Sequence, residues 1–149
     1  MAIATQATVT GSGTSVSSIS ASSWTPSAND LILVWVACRS GVTVSSMSGN
    51  GITFAKVVED LQSPQNQCTL SLWRGMSASP STGQITATLS GSAAAAIMVA
   101  HRISGADTGG SNGSGAIGAS AIANTGATDT NTPSVDITTT AANSRVYEI

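Results

Sequence analysis

Asp30-Leu31-Ile32-Leu33-Val34-Trp35-Val36-Ala37-Cys38 is the stretch on which the fold turns. Eight apolar residues follow Asp30 without a break, and Ile, Val and Trp favour extended backbone. Neighbours on a strand point to opposite faces, so Leu31, Leu33 and Trp35 share one side while Ile32, Val34, Val36 and Cys38 share the other. A strand apolar on both faces must be covered on both, or large side chains stay in water. Ala94-Ala95-Ala96-Ile97-Met98-Val99-Ala100 makes the same demand. A packed second sheet can cover one face. The other needs a long loop or another subunit.

The rest of the composition agrees with an all-β chain. At 149 residues it is expected to form one domain, 1–149, with a real core. Hydrophobic residues make up 41%, so the chain folds, yet only 8% are charged against roughly 25% in an ordinary domain. Lys and Glu, the staples of exposed helix, are scarce, while Val, Ile, Thr and Ser abound. A net charge of −2 with five basic residues gives no footprint for nucleic acid and no polybasic membrane patch. No run reaches the roughly 17–25 apolar residues of a spanning helix. The start, Met1-Ala2-Ile3-Ala4-Thr5-Gln6, lacks the basic and apolar regions of a signal peptide.

Period-two reading gives about nine strand candidates and no amphipathic helix. They cover 3–10, 16–24, 31–39, 42–47, 52–59, 68–76, 84–90, 94–103 and the region after Pro133. Gly11-Ser12-Gly13 reads as a break between the first two, and Asn50-Gly51 as a type I′ turn. In the sixth, Cys68, Leu70 and Leu72 are expected inward, with Thr69, Ser71 and Trp73 outward. Residues 107–131, rich in Gly, Ala and Ser, read as a long loop packed through Ile117 and Ile122. Arg145-Val146-Tyr147-Glu148-Ile149 alternates like a strand that either continues in a longer polypeptide or pairs outside this chain. The expected core is Ile32, Val34, Val36, Phe54, Val57, Leu70, Leu72, Ile85, Leu89, Ile97, Val99 and Val135.

No catalytic constellation is legible. His101 is the sole histidine and has no carboxylate placed beside it in sequence; no serine lies in a Gly-x-Ser-x-Gly elbow. The chain is therefore expected not to be an enzyme and to need no cofactor. Asp107, Asp129 and Asp136 are too dispersed for a calcium loop, and the cysteines lack zinc spacing, so no metal is expected. Cys38 and Cys68 both fall on core-like parities, as free thiols in a reducing compartment or as a disulfide. Trp73, Trp24, Trp35, Leu31, Leu33 and Tyr147 form the candidate interface or ligand surface: Trp73 and Trp24 as aromatic platforms, the β-strand residues as an uncovered face, Tyr147 at an open edge.

Ala-Asn-Asp-Leu-Ile-Leu-Val at 28–34, Val-Ser-Ser-Met-Ser-Gly-Asn-Gly-Ile-Thr-Phe at 44–54, Leu-Trp-Arg-Gly at 72–75, Ile-Thr-Ala-Thr-Leu-Ser at 85–90, Ile-Ser-Gly-Ala-Asp at 103–107 and Thr-Thr-Thr-Ala-Ala-Asn-Ser-Arg-Val-Tyr at 138–147 follow in an order that carries a resemblance. Over residues 29–147 the chain resembles a β-sandwich domain family of phage structural proteins and large bacterial surface proteins. Phe54 stands where that pattern has Trp, and the pattern runs on past Tyr147. The resemblance brings no catalytic residues. The expected fold is an antiparallel β-sandwich of jelly-roll or Greek-key type with about eight to ten strands. The expected function is a non-enzymatic structural component of a virion or extracellular surface assembly: a capsid decoration, a tail or fibre module, or a filament subunit. Its partners would be identical subunits and other structural proteins of the assembly. The alternative is a carbohydrate-binding or adhesion module facing a surface glycan.

Overall fold

The computed structural model describes residues 2–62, 68–123, 134–139 and 141–148. Its strands are β1 (Ala4–Ser20), β2 (Leu31–Cys38), β3 (Val44–Gly49), β4 (Phe54–Gln62), β5 (Cys68–Gly75) and β6 (Ile85–Ser104). All pair antiparallel in one six-stranded sheet ordered β1-β6-β2-β5-β4, with β3 added onto the first part of β6. One 3-10 turn, Ser114–Ala116, is the sole helical element among the described residues. The chain is all-β, as composition implies.

β2 lies between β6 and β5, and Ala37 is its one residue that is not buried. Its even positions, Ile32, Val34, Val36 and Cys38, enter the main core with Ile19, Val44, Met47, Trp73, Ile85, Leu89, Met98 and Ala100. Leu31, Leu33 and Trp35 enter a second, smaller cluster with Ile103 on the other side. The two-faced reading of this strand is thus met on both sides.

Six strands among the described residues replace the nine candidates because two expected breaks are corners crossed by continuous strands and the described residues after Pro133 form no strand. β1 runs through Gly11-Ser12-Gly13, and β6 runs through the residues between Leu89 and Ala94. Both strands bend at the same place: β1 advances only from Val16 to Ser18 while its partner positions on β6 move from Ala93 to Thr88. Such a bulge sharpens a strand's bend. Gly11 sits on the inside of the corner, where a Cβ would lie 2.1 Å from the Ser20 carbonyl oxygen. The Ser22 N–H donates to the Thr10 carbonyl at 3.1 Å, pinning the fold-back. Glycine is needed here for close approach.

The faces of β5 are the reverse of those expected. Thr69, Ser71 and Trp73 point into the main core, Trp73 being 7% exposed, while Leu70 and Leu72 lie on the opposite face. Register decides this: Trp73 pairs with Val34 and Leu72 with Trp35. The polar residues are satisfied locally, so burying them is cheap. Thr69 Oγ1 donates to the Val42 carbonyl, and the Trp73 indole N–H donates to Ser71 Oγ at 3.2 Å. Cys38 pairs with Thr69, which turns Cys68 to the other face, and both are free thiols.

Two further core expectations fail. Ile97 is 52% exposed, because burial on β6 shifts from odd positions (Ile85, Ala87, Leu89, Ala93) to even ones (Ala96, Met98, Ala100) past the corner. Val135 is 50% exposed in a segment with no strand partner. Phe54, Val57, Leu70, Leu72 and Val99 are half-buried; Pro133 and Asp129 lie outside the described residues.

Asn50 and Gly51 both adopt positive φ, at 54° and 63°, as a type I′ turn requires. The strands they join do not pair with each other; β3 pairs with β6 and β4 with β5. Asn50 acts instead as a buried tie. Its Nδ2 donates to the carbonyls of Ser81 at 2.9 Å and of Trp24 and Gly83 at 3.2 Å, and its Oδ1 accepts from the Trp24 indole at 3.2 Å.

The corner yields a direct expectation. Gly11→Ala forces a methyl group against backbone and lowers stability by about 1–3 kcal/mol. Urea denaturation measures it; an unchanged midpoint would show that the corner can open without cost.

Candidate functional site

The second face of β2 is where sequence analysis placed most of its candidate residues, and there the chain covers itself. Leu31, Leu33, Trp35 and Ile103 are buried beneath Ile3, Met76, Ala106, Ala116, Ile117 and Tyr147, with Leu72 alongside. Beyond Ile3 before β1 and Met76 after β5, two longer pieces of chain supply the cover. The first follows β6 directly and brings Ala106, Ala116 and Ile117; Gly113 fits so closely that a Cβ would lie 2.7 Å from Leu31 Cδ1. The second is the segment from 134 to 148, called the strap below. Neither is a strand among its described residues, although Val135-Asp136-Ile137-Thr138 alternates like one.

The strap is held by one side chain. Among its described residues Tyr147 alone is not exposed. Its ring lies 6.1 Å from the Trp35 ring and 6.4 Å from that of His101, and its hydroxyl shares a hydrogen bond with Thr5 Oγ1 at 3.0 Å. His101 meets Trp35 edge-on at 5.0 Å and is fixed by Thr8 Oγ1, 2.7 Å from Nδ1. The Arg145 guanidinium lies 5.3 Å from the Tyr147 ring centre. Register explains the cluster: Leu33 pairs with His101, Trp35 with Val99 and Thr8 with His101, so all point to one face.

Beneath the strap a cavity of about 460 Å³ remains, lined on the sheet side by Leu31, Leu33, Leu72 and Ile103 and on the strap side by residues including Thr138 and Ser144. A smaller cavity of about 200 Å³ lies between Trp35, Val99, His101, Tyr147 and Glu148. Val135, Ile137 and Val146 of the strap are exposed, Ile137 and Val146 at the cavity and Val135 away from it. Each of these half-exposed side chains forgoes part of the about 1.5–3 kcal/mol that full burial brings.

The remaining candidates fall elsewhere. Trp73 is a core residue and presents no open ring. Trp24 is half-buried and tied through its indole N–H to Asn50. Trp35, Leu31 and Leu33 are buried by the chain's own cover, and Tyr147 is a latch in place of an open edge. Among the described residues no three His, Cys, Asp or Glu side chains gather as a metal site. Burial lowers the His101 pKa below its usual 6.5 and raises that of the Cys38 thiol. Burial also raises the Asp30 carboxyl, an effect partly offset by Arg102, whose Nε lies 3.2 Å away. Sequence reasoning missed the roles of Thr5, Thr8 and His101, since no local pattern pairs residues so distant in the chain.

Two outcomes follow. Tyr147→Ala releases the strap, costs about 1–3 kcal/mol, and shifts Trp35 emission to the red with greater iodide quenching; Tyr147→Phe keeps the ring contacts and most of the shielding. His101 favours its neutral form in the closed state, so its contribution is full above pH 6.5 and declines as pH falls toward the lowered folded value. An NMR titration of His101 in the intact protein gives a midpoint below 6.5, moving back up in Tyr147→Ala. No protein-family model, curated protein or solved structure matches this chain.

Proposed function

We propose that the chain is a non-enzymatic structural subunit of a virion or an extracellular surface assembly, built on a β-sandwich in which the shared corner of β1 and β6 lays one half of the sheet across the other. The observation that carries this reading is the edge strand β1. It is 17 residues long, ends the sheet order, and contains no charged residue and no proline. Soluble monomers commonly protect such an edge with lysine, proline or a covering element. Among the described residues the protection is a corner and a single backbone bond at Thr10. The opposite edge, β4, carries Lys56, Glu59 and Asp60.

Further support comes from composition. With 8% charged residues there is little repulsion to keep copies apart. The resemblance to phage and bacterial surface β-sandwich domains points the same way. The cluster around His101 supplies a hydroxyl and an imidazole, without a hydrogen-bonded carboxylate among the described residues to orient the ring. Sugar recognition favours an exposed aromatic platform, and neither Trp73 nor Trp24 offers one.

Sedimentation velocity across micromolar to millimolar concentration, with electron microscopy of the same samples, tests the reading. Regular oligomers or filaments are expected. Ser12→Lys and Thr14→Lys, which place charge on exposed positions of β1, weaken self-association at least tenfold with little change in thermal midpoint. A stable 14.7 kDa monomer throughout would overturn the proposal.

A further inference from the structure

We infer that the strap is exchanged between copies: residues 134–148 of one chain seat on the Trp35–His101 face of a second copy, with Tyr147 making in the neighbour the contacts it makes here within one chain. This rests on the assembly reading above and adds to the β1 edge a second contact between copies. Every copy carries both halves of the contact. The receptor is Trp35, His101 and Thr5, whose ring and hydroxyl contacts to Tyr147 are already formed. The insert is a segment whose single anchored residue among those described is Tyr147. Exchange therefore reuses the Tyr147 contact and requires no foreign partner, the condition under which domain swapping costs little.

Three observations favour the neighbour over the chain's own face. The strap opens on an alternating Val135-Asp136-Ile137-Thr138, yet it pairs with nothing along its described length. Its three aliphatic residues, Val135, Ile137 and Val146, are exposed when it lies on its own sheet. The receptor face also continues beyond the strap: Ile97 is exposed and Val99 half-buried on the same side of β6 as His101. Within one chain, apolar surface is thus left over on both the insert and the seat. A strap arriving from a second copy can run along β6 and cover Ile97 as well as the Tyr147 pocket. The cavity of about 460 Å³ left beneath the strap in one chain is consistent with a cover that fits loosely in place. The charges are small in number and mixed in sign, Asp136, Arg145 and Glu148, so copies do not repel at this contact.

The test uses the full chain. Isotopically labelled and unlabelled protein are mixed, dissociated, reassembled at high concentration, and examined by isotope-filtered NOE spectroscopy on the Tyr147 and Trp35 rings. Exchange gives Tyr147–Trp35 cross-peaks between labelled and unlabelled chains. In the same samples Tyr147→Ala weakens association at least tenfold, whereas Tyr147→Phe remains assembled; circular dichroism confirms that both retain the sheet. Assemblies whose Tyr147–Trp35 cross-peaks arise only within one chain would overturn the exchange and leave the assembly reading standing. So would an assembly that persists undiminished in Tyr147→Ala. Monomers at every concentration would remove both.

Discussion

The structure depends on one requirement: β2 must exclude water from both of its faces. A half-buried antiparallel strand can leave its polar face in solvent, but a run such as Leu31 to Cys38 has no polar face to leave. The main core solves one side by gathering residues from β1, β2, β3 and β6, with Trp73 from β5. The other side is closed by chain lacking regular structure, which is an unusual choice for a cover. Irregular segments bring fewer apolar contacts per residue and no hydrogen-bonded ladder of their own. Local stability is correspondingly uneven, highest around β6 and β2 and lowest in the strap.

Polar residues in this protein act as fasteners. Asn50 ties the turn after β3 to three carbonyls, Thr69 and Ser71 occupy the core face of β5 with partners in reach, and Thr5 and Thr8 hold Tyr147 and His101. A chain with so few charges has few ion pairs to draw on, Lys56–Glu59 and Arg102–Asp30 among them. Hydroxyl and amide bonds fix geometry without the salt sensitivity of exposed ion pairs.

How far local pattern reaches can be judged strand by strand. The two-faced run at 31–38 is unambiguous, since no other secondary structure suits eight apolar β-formers between turn signals. On β5 alternation misleads, because both faces are covered and the polar parity is satisfied inside; only register against β2 distinguishes them. At Gly11-Ser12-Gly13 the sequence carries a real signal, a place where the backbone must be bare, and a corner needs glycine as much as a break does. The candidate site was visible as a demand, Leu31, Leu33 and Trp35 requiring a lid, without the identity of the lid. Tyr147 meets Thr5 across nearly the whole chain, and no spacing rule reports such a pair.

The pairing of β1 with β6 has a consequence for how the protein is made. The register from Ala4 against Ser104 to Ser20 against Thr86 means that β1 leaves the ribosome 66 to 100 residues ahead of the positions it pairs with. At about 5–20 residues per second that interval is on the order of ten seconds. During it a nascent segment free of charge and proline waits with its backbone unpaired. Non-local pairing of this kind makes folding slow. Sheet closure therefore waits for β6, which binds three partners at once.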